Sequence, residues 1–160
     1  MADGSIEKNK AAGGTDSPAA SEKTASKNDP SLINSSVLAF IGDAVYETFA
    51  RVHVFDKGLL RADRLSSAAT GYVRAEAQAY AYDRLQPVLT EKEAGVARRG
   101  KNHKITSMPK HVDPAIYKKA TGFEALLGYL KLSGDEKRLE EIVRTAMAVI
   151  EEKDFSRIKR

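Results

Sequence analysis

Residues 40–47 read FIGDAVYE, an apolar helical stretch that carries two carboxylates, Asp43 and Glu47. Four residues make about one helical turn, so both acids project from nearly the same face. The apolar residues around them predict a mostly buried helix. A carboxylate is costly there unless it is paired, hydrogen-bonded or bound to a metal. Asp43 therefore needs an explanation, either as a core acid satisfied by Arg or Lys or as a ligand.

Composition bounds the class of protein. The chain has 160 residues, no cysteine and a formal net charge of +4. This length allows one domain with a real core. Without cysteine there are no disulfides or thiolate metal sites, which fits a reducing cytoplasm, so we expect a cytoplasmic protein. No apolar run approaches the ~20 residues of a membrane helix, so we expect no membrane partner.

The chain divides into three parts. Residues 1–30 have no apolar periodicity and predict a disordered N-terminal tail. Residues 31–154 predict one folded domain, and residues 155–160 a frayed C-terminus. The tail carries a net charge of −1, which leaves +5 for the remainder. A basic domain of this kind is compatible with a polyanionic partner, although many basic domains bind no nucleic acid.

Apolar residues recur at helical spacing throughout the domain, and no strand alternation interrupts them, so the predicted class is all-α. An Ala-rich helical stretch covers residues 61–86, where Gly71 is the predicted break. Thr90 and Glu93 form a capping box at the start of the next helix. That helix is predicted to end at about Arg99.

A second costly carboxylate, Glu124, lies within the strongly apolar helix that follows Asp113-Pro114. Two acids on separate apolar helices repel each other if they ionise side by side. A divalent cation resolves this, because carboxylate oxygens suit Mg²⁺ or Mn²⁺. The structural alternative, in which Arg or Lys pairs with Asp43 or Glu124, stays open at this point.

Residues 98–112 contain no acid and five positive charges, and Gly100 and Pro109 predict a loop there. Lys and Arg neutralise phosphates and give sequence-tolerant binding to nucleic acid. A solvated charged loop is the alternative. An acidic metal site beside a basic loop is what cleavage of a phosphodiester requires.

Three motifs in the same order resemble the ribonuclease III family. They are IGDAV at residues 41–45, RRGKN at 98–102 and FEALLG at 123–128. The resemblance is greatest to its Mini-ribonuclease III branch, which lacks a double-stranded-RNA-binding domain. It implies a ribonuclease III endonuclease-domain-like helical bundle, a homodimer that cleaves double-stranded RNA with Mg²⁺. The implied substrate is the precursor of large-subunit ribosomal RNA, a role in ribosome biogenesis.

The resemblance also implies roles for single residues. Asp43 matches the catalytic aspartate and Glu124 the catalytic glutamate, both as metal ligands, and Phe40 matches an aromatic of the dimer interface. Two further acids of the larger family are replaced by Ala39 and Thr121, a thinning shared by the Mini-ribonuclease III branch. Metal number and binding strength therefore stay open.

Without a second RNA-binding domain, the catalytic domain must hold the duplex itself. A-form RNA is recognised mainly by shape, phosphates and ribose hydroxyls. The candidate RNA-binding residues are Arg98, Arg99, Lys101, Asn102 and Lys104. Glu47 is a spare acid that could act through water. The rival hypotheses are an inactive ribonuclease III-like domain that only binds RNA, and a helical protein-interaction module.

Overall fold

The computed structural model describes residues 29–153. Residues 1–28 of the predicted tail (1–30) and the whole predicted frayed end (155–160) lie outside the described residues. Six α-helices follow one another: α1 (Ser35–Asp56), α2 (Ala62–Val73), α3 (Ala75–Leu85), α4 (Glu91–Asn102), α5 (Pro114–Leu132) and α6 (Glu136–Glu152). Two short 3-10 turns, Pro30–Leu32 and Gln86–Val88, precede α1 and α4. Residues 29–153 contain no strand, which confirms the all-α class.

Helix α5 forms the centre of the bundle. It packs against α1, α3 and α4, while α2 packs on α1 and α6 packs on α3. The α5 residues that α1 and α3 cover are fully buried and include Phe123, Leu126 and Leu127. The ring of Phe123 meets Tyr46 of α1 edge to face, with 4.9 Å between centroids. Burial of this large apolar area supplies most of the stabilisation of the domain.

Glycines let α1 and α5 cross with their backbones in contact. A Cβ atom added at Gly42 would stand 1.7 Å from the carbonyl oxygen of Glu124. One added at Gly128 would stand 1.9 Å from the carbonyl oxygen of Leu38. Since ordinary contacts between carbon and other heavy atoms lie near about 3.5 Å, only glycine fits at either position. The crossing fixes the register of α1 on α5.

A similar crossing joins α4 to α5. A Cβ atom at Gly100 would lie 2.6 Å from the Cβ of Ala125, and one at Gly122 would lie 2.7 Å from the carbonyl oxygen of Ala97. The predicted loop at residues 98–102 is therefore wrong, because these residues form the last turn of α4. Packing of the Gly100 backbone against α5 outweighs the low helix propensity of glycine.

The break in the Ala-rich stretch lies at Arg74 and not at Gly71. Gly71 stays inside α2, whereas Arg74 has φ −62° and ψ 151° and separates α2 from α3. This extended residue lets α2 pack on α1 while α3 packs on α5 and α6. The position of the break is thus set by tertiary packing.

The predicted capping box is confirmed, and it also takes part in a buried ion pair. Thr90 Oγ1 accepts from the N–H of Glu93, and the Glu93 carboxylate accepts from the N–H of Thr90. Arg138 of α6 donates to both Glu93 oxygens at 2.8 Å and to the carbonyl of Val88 at 2.8 Å. These hydrogen bonds lower the pKa of Glu93. The N-terminus of α4 is thereby fastened to α6.

A second polar network closes the opposite end of α6. One carboxylate oxygen of Glu151 lies 2.8 Å from His53 Nε2, and it accepts from Lys57 Nζ and the hydroxyl of Tyr72, both at 2.7 Å. Partial burial would raise the pKa of Glu151, but the three donors outweigh it and lower that pKa to about 2. The network ties the C-terminal ends of α1, α2 and α6 together.

One face of α1 is apolar but uncovered. Phe40 is 79% exposed and Val37 48% exposed, so the prediction of a mostly buried helix is wrong for this face. The periodicity of α1 is apolar nearly all round, yet a single copy of the domain covers only the side that meets α2 and α5. No helix within residues 29–153 is long and apolar enough to cross a membrane.

Candidate active site

The glycine crossing brings Asp43 and Glu124 to the same place. Asp43 directly follows Gly42, and the Gly42 backbone touches the peptide of Glu124. Asp43 is exposed and Glu124 is partly buried. The expectation that both acids are buried is therefore wrong for Asp43, which lies exposed at the edge of the α1–α5 contact.

Both carboxyl groups hold their protons more tightly than they would in water. Burial raises the pKa of Glu124 to about 8, the negative charge of Asp43 adds to the rise, and a hydrogen bond with the Gln78 side chain opposes it. Burial and the charge of Glu47 raise the pKa of Asp43. Ionising both carboxyl groups is therefore unfavourable in the free protein, and a cation bound between the two carboxylates would compensate for their charge.

No basic side chain among residues 29–153 neutralises this pair. Neither Asp43 nor Glu124 forms an ion pair within 4.0 Å with any Lys, Arg or His of the described part of the chain. The structural alternative of core acids satisfied by Arg or Lys is therefore contradicted. Glu47 instead pairs with Arg51 at 2.9 Å, one turn further along α1.

The positions of the two further family acids offer no ligand. Ala39 is buried at the base of α1. Thr121 is buried too, and its hydroxyl donates to the carbonyl of Tyr117 at 2.9 Å. The acidic part of the site consequently consists of Asp43 and Glu124.

Gln78 is a neighbour of Glu124 that sequence reasoning missed. Its side chain, on α3, reaches Glu124 and is 3% exposed. Nε2 donates to the carbonyl of Val73 at 2.8 Å. Oε1 is buried without a hydrogen-bond partner among residues 29–153. The one signal in the sequence was a long polar side chain within an Ala-rich helix, and that signal does not say which way the residue faces.

The candidate RNA-binding residues lie in the last turn of α4 and just after it. Arg98, Arg99, Asn102 and Lys104 are exposed, whereas Lys101 is partly buried. Lys101 Nζ lies 5.9 Å from the centre of the Tyr82 ring, and Arg99 donates to the carbonyl of Ser31 at 2.9 Å. The Gly100–Gly122 contact fixes this turn of α4 two residues from Glu124 along α5. The positive side chains thus belong to a turn of α4 that contacts α5 at Gly122 and Ala125.

The residues present fit a hydrated divalent cation. Groups of three or more His, Asp or Glu side chains able to hold a metal do not occur in the described part of the chain. Mg²⁺ does not need such a group, since it binds through one or two carboxylates and keeps several waters. Asp43 and Glu124 supply those carboxylates, and the unpartnered Gln78 Oε1 is an acceptor for water.

Comparison with known proteins defines the class first. The family described as Ribonuclease III domain matches residues 36–135, which span α1 through the start of the turn before α6 and include both carboxylates. The helical fold agrees with this match. The class is thus that of the ribonuclease III endonucleases.

The individual relatives indicate which branch of the ribonuclease III family the chain resembles most. Mini-ribonuclease 3 of Brevibacillus brevis is 49% identical over 123 residues, 77% of this chain and 92% of the relative. Mini-ribonuclease 3 of Symbiobacterium thermophilum is 45% identical over 123 residues, 77% of this chain and 95% of the relative. A crystal structure of a Fusobacterium nucleatum protein superposes with a TM-score of 0.67 at 26% identity, covering 73% of this chain and 93% of that one.

The chain belongs to the Mini-ribonuclease 3 family. It is an endoribonuclease that acts on double-stranded RNA, which confirms the predicted family and activity. The rival hypothesis of a helical protein-interaction module is therefore set aside.

Proposed function

We propose that the chain cleaves double-stranded RNA with Mg²⁺ or Mn²⁺ held by Asp43 and Glu124. The observation that carries the proposal is the backbone contact of Gly42 with Glu124, which keeps two carboxylates together without a basic partner. A divalent cation at such a site supplies Lewis-acid activation of the attacking water and stabilises the leaving oxygen.

The protein residues have distinct tasks in this reaction. Asp43, at the exposed edge of the pair, faces the side from which RNA approaches. Glu124 is held more rigidly, because its helix is packed on three sides by α1, α3 and α4. Its raised pKa means that cation binding at neutral pH must displace a proton, so affinity should increase with pH.

The basic turn of α4 is the proposed RNA-binding surface. Arg98, Arg99, Lys101, Asn102 and Lys104 would contact phosphates and ribose hydroxyls next to the scissile bond. Such contacts recognise the shape and charge of the duplex and do not distinguish one base sequence from another. The helical geometry of residues 98–102 gives Arg98, Arg99, Lys101 and Asn102 a fixed spacing, and Lys104 follows just after the helix.

The exposed face of α1 supports a homodimer. Phe40 at 79%, Val52 at 52% and Phe55 at 55% exposure follow one side of this helix. A groove of about 470 Å³ beside them is lined by Val45 and Phe49 of α1 and by the start of α6. A two-fold pair of sites would cut each strand of a duplex once. We further propose the precursor of large-subunit ribosomal RNA as substrate, from the family resemblance, and the cytoplasm as location, from the absence of cysteine.

Cleavage of an end-labelled RNA duplex tests the function. Wild type should cut with Mg²⁺ and not with EDTA, and Asp43→Asn should lose at least about 100-fold in rate while it still retains the duplex at low salt. Asp56→Asn, an exposed acid at the end of α1, is the matched control and should cut like wild type.

The rival hypothesis of an inactive RNA-binding domain rested on the non-ligands at Ala39 and Thr121. The family match sets it aside, and the same assay tests it. That hypothesis predicts that wild type and Asp43→Asn retain the duplex equally and that neither cuts at any Mg²⁺ or Mn²⁺ concentration. Equal cutting by both proteins would remove Asp43 from the proposed site.

A further inference from the structure

We propose that Gln78 is a positioning residue of this site: its amide holds the Glu124 side chain and offers Oε1 to the hydration shell of the bound cation. The proposal rests on the proposed function, since it assumes a cation at Asp43 and Glu124. It assigns to α3 a part in the site that the three sequence motifs do not include.

Burial makes the Gln78 side chain unusual. At 3% exposure it is one of three polar or charged residues buried among residues 29–153, together with Glu93 and Thr121. Glu93 and Thr121 have every buried oxygen satisfied, whereas Gln78 Oε1 is the one buried side-chain atom of the described residues without a hydrogen-bond partner. Leaving a buried acceptor unsatisfied is destabilising, so the position needs a reason.

The donor end of the same amide explains how Gln78 is oriented. Nε2 donates to the carbonyl of Val73 at 2.8 Å, the last residue of α2. The same amide lies close enough to Glu124 to lower the pKa of that carboxyl group. The hydrogen bond to Val73 fixes the plane of the amide, which leaves Oε1 near the carboxyl group without a partner among residues 29–153.

The chemistry of an unused oxygen beside a carboxylate favours a hydrated cation. Mg²⁺ keeps several waters, and those waters are hydrogen-bond donors that need acceptors around them. Groups that orient the ligands of a metal from behind often change its affinity 10–100-fold. Gln78 would thus compensate in part for the acids missing at Ala39 and Thr121.

Mn²⁺ binding without RNA tests the proposal, with free Mn²⁺ measured by electron paramagnetic resonance on the full chain. Gln78→Met keeps the length of the side chain and removes donor and acceptor. It should bind Mn²⁺ about tenfold more weakly than wild type. Gln86→Met is the matched control, because Gln86 is exposed and also donates to a backbone carbonyl, that of Tyr82 at 2.9 Å. It should bind Mn²⁺ within twofold of wild type.

The outcomes separate this proposal from the proposed function. If folded Gln78→Met binds Mn²⁺ within twofold of wild type while Asp43→Asn does not bind it, Gln78 is only structural and the carboxylate site stands. If wild type and Asp43→Asn bind Mn²⁺ equally, the carboxylate site fails and this proposal falls with it. Should Gln78→Met not fold by circular dichroism, Gln78→Glu decides: a group that faces the cation tightens Mn²⁺ binding when it becomes anionic, and unchanged or weaker binding overturns the proposal.

Discussion

Replacing Gly42 with alanine probes the contact on which both the fold and the site depend. The new Cβ would stand 1.7 Å from the carbonyl oxygen of Glu124, 2.6 Å from its carbonyl carbon and 2.8 Å from the nitrogen of Gly128. All three are backbone atoms, so no side-chain rotation can relieve the overlap. Helices α1 and α5 would have to separate along the line that joins Asp43 to Glu124.

The magnitude follows from two opposing effects. Alanine favours a helix over glycine by about 0.5–1 kcal/mol. Overpacking a close contact typically costs about 1–3 kcal/mol and more where backbone must move. Because the overlap involves only backbone, we expect Gly42→Ala to lose about 3 kcal/mol net, which lowers the melting temperature by about 10 °C.

Gly95→Ala is the matched control within a helix. Its added Cβ would meet only the Arg99 side chain, at 3.6 Å, which is an ordinary contact. This variant should therefore gain about 0.5–1 kcal/mol. Urea unfolding followed by circular dichroism measures both changes, provided that the m-values agree. Cleavage by the folded fraction of Gly42→Ala should also fall, since the two carboxylates move apart.

The reasoning is refuted if Gly42→Ala unfolds within about 0.5 kcal/mol of wild type. It is also refuted if Gly95→Ala loses as much stability as Gly42→Ala. Either result would mean that α1 and α5 do not approach as closely as the glycines permit. The account of how Asp43 reaches Glu124 would then fail as well.

Three further perturbations test other parts of the structure. Arg138→Met leaves the buried Glu93 carboxylate unpaired and should cost about 3 kcal/mol in urea unfolding, whereas Arg144→Met, in an exposed pair, should change stability by less than about 1 kcal/mol. The pKa of Glu151 is lowered to about 2 in the folded protein, against about 4.5 in the unfolded chain. The ionised Glu151 therefore stabilises the fold above pH 4.5, and this contribution is lost as the pH falls toward 2. Glu151→Gln should lower the melting temperature at pH 7 and should melt like wild type near pH 2. Phe40→Asp should shift the chain to monomer in analytical ultracentrifugation without loss of helical signal, and an unchanged sedimentation coefficient of a wild-type dimer would exclude Phe40 from the interface.

Local signals in the sequence were enough for several features. The capping box at Thr90 and Glu93 and the start of α5 at Asp113 depend on side chains that act within one turn of the backbone, so they could be predicted. The three motifs, with their order and spacing, identified the family. The helical class followed from apolar periodicity alone.

Features that depend on contacts between distant helices could not be predicted in this way. The last turn of α4 is helical because Gly100 packs on α5, although glycine by itself predicted a loop there. Arg74 separates α2 from α3 because the two helices pack on different neighbours. Gln78 entered the site only through the position of α3 beside Glu124.

Asp43 and Glu124 show most clearly which features the sequence predicts and which depend on tertiary packing. The sequence determined that two carboxylates lie on apolar helices and that both need compensation. Which one is buried was decided by the crossing at Gly42 and Gly128, which leaves Asp43 exposed and encloses Glu124 among α1, α3 and α4. Helical periodicity fixes the face of a residue on its own helix, but only the packed arrangement of the helices fixes what that face meets.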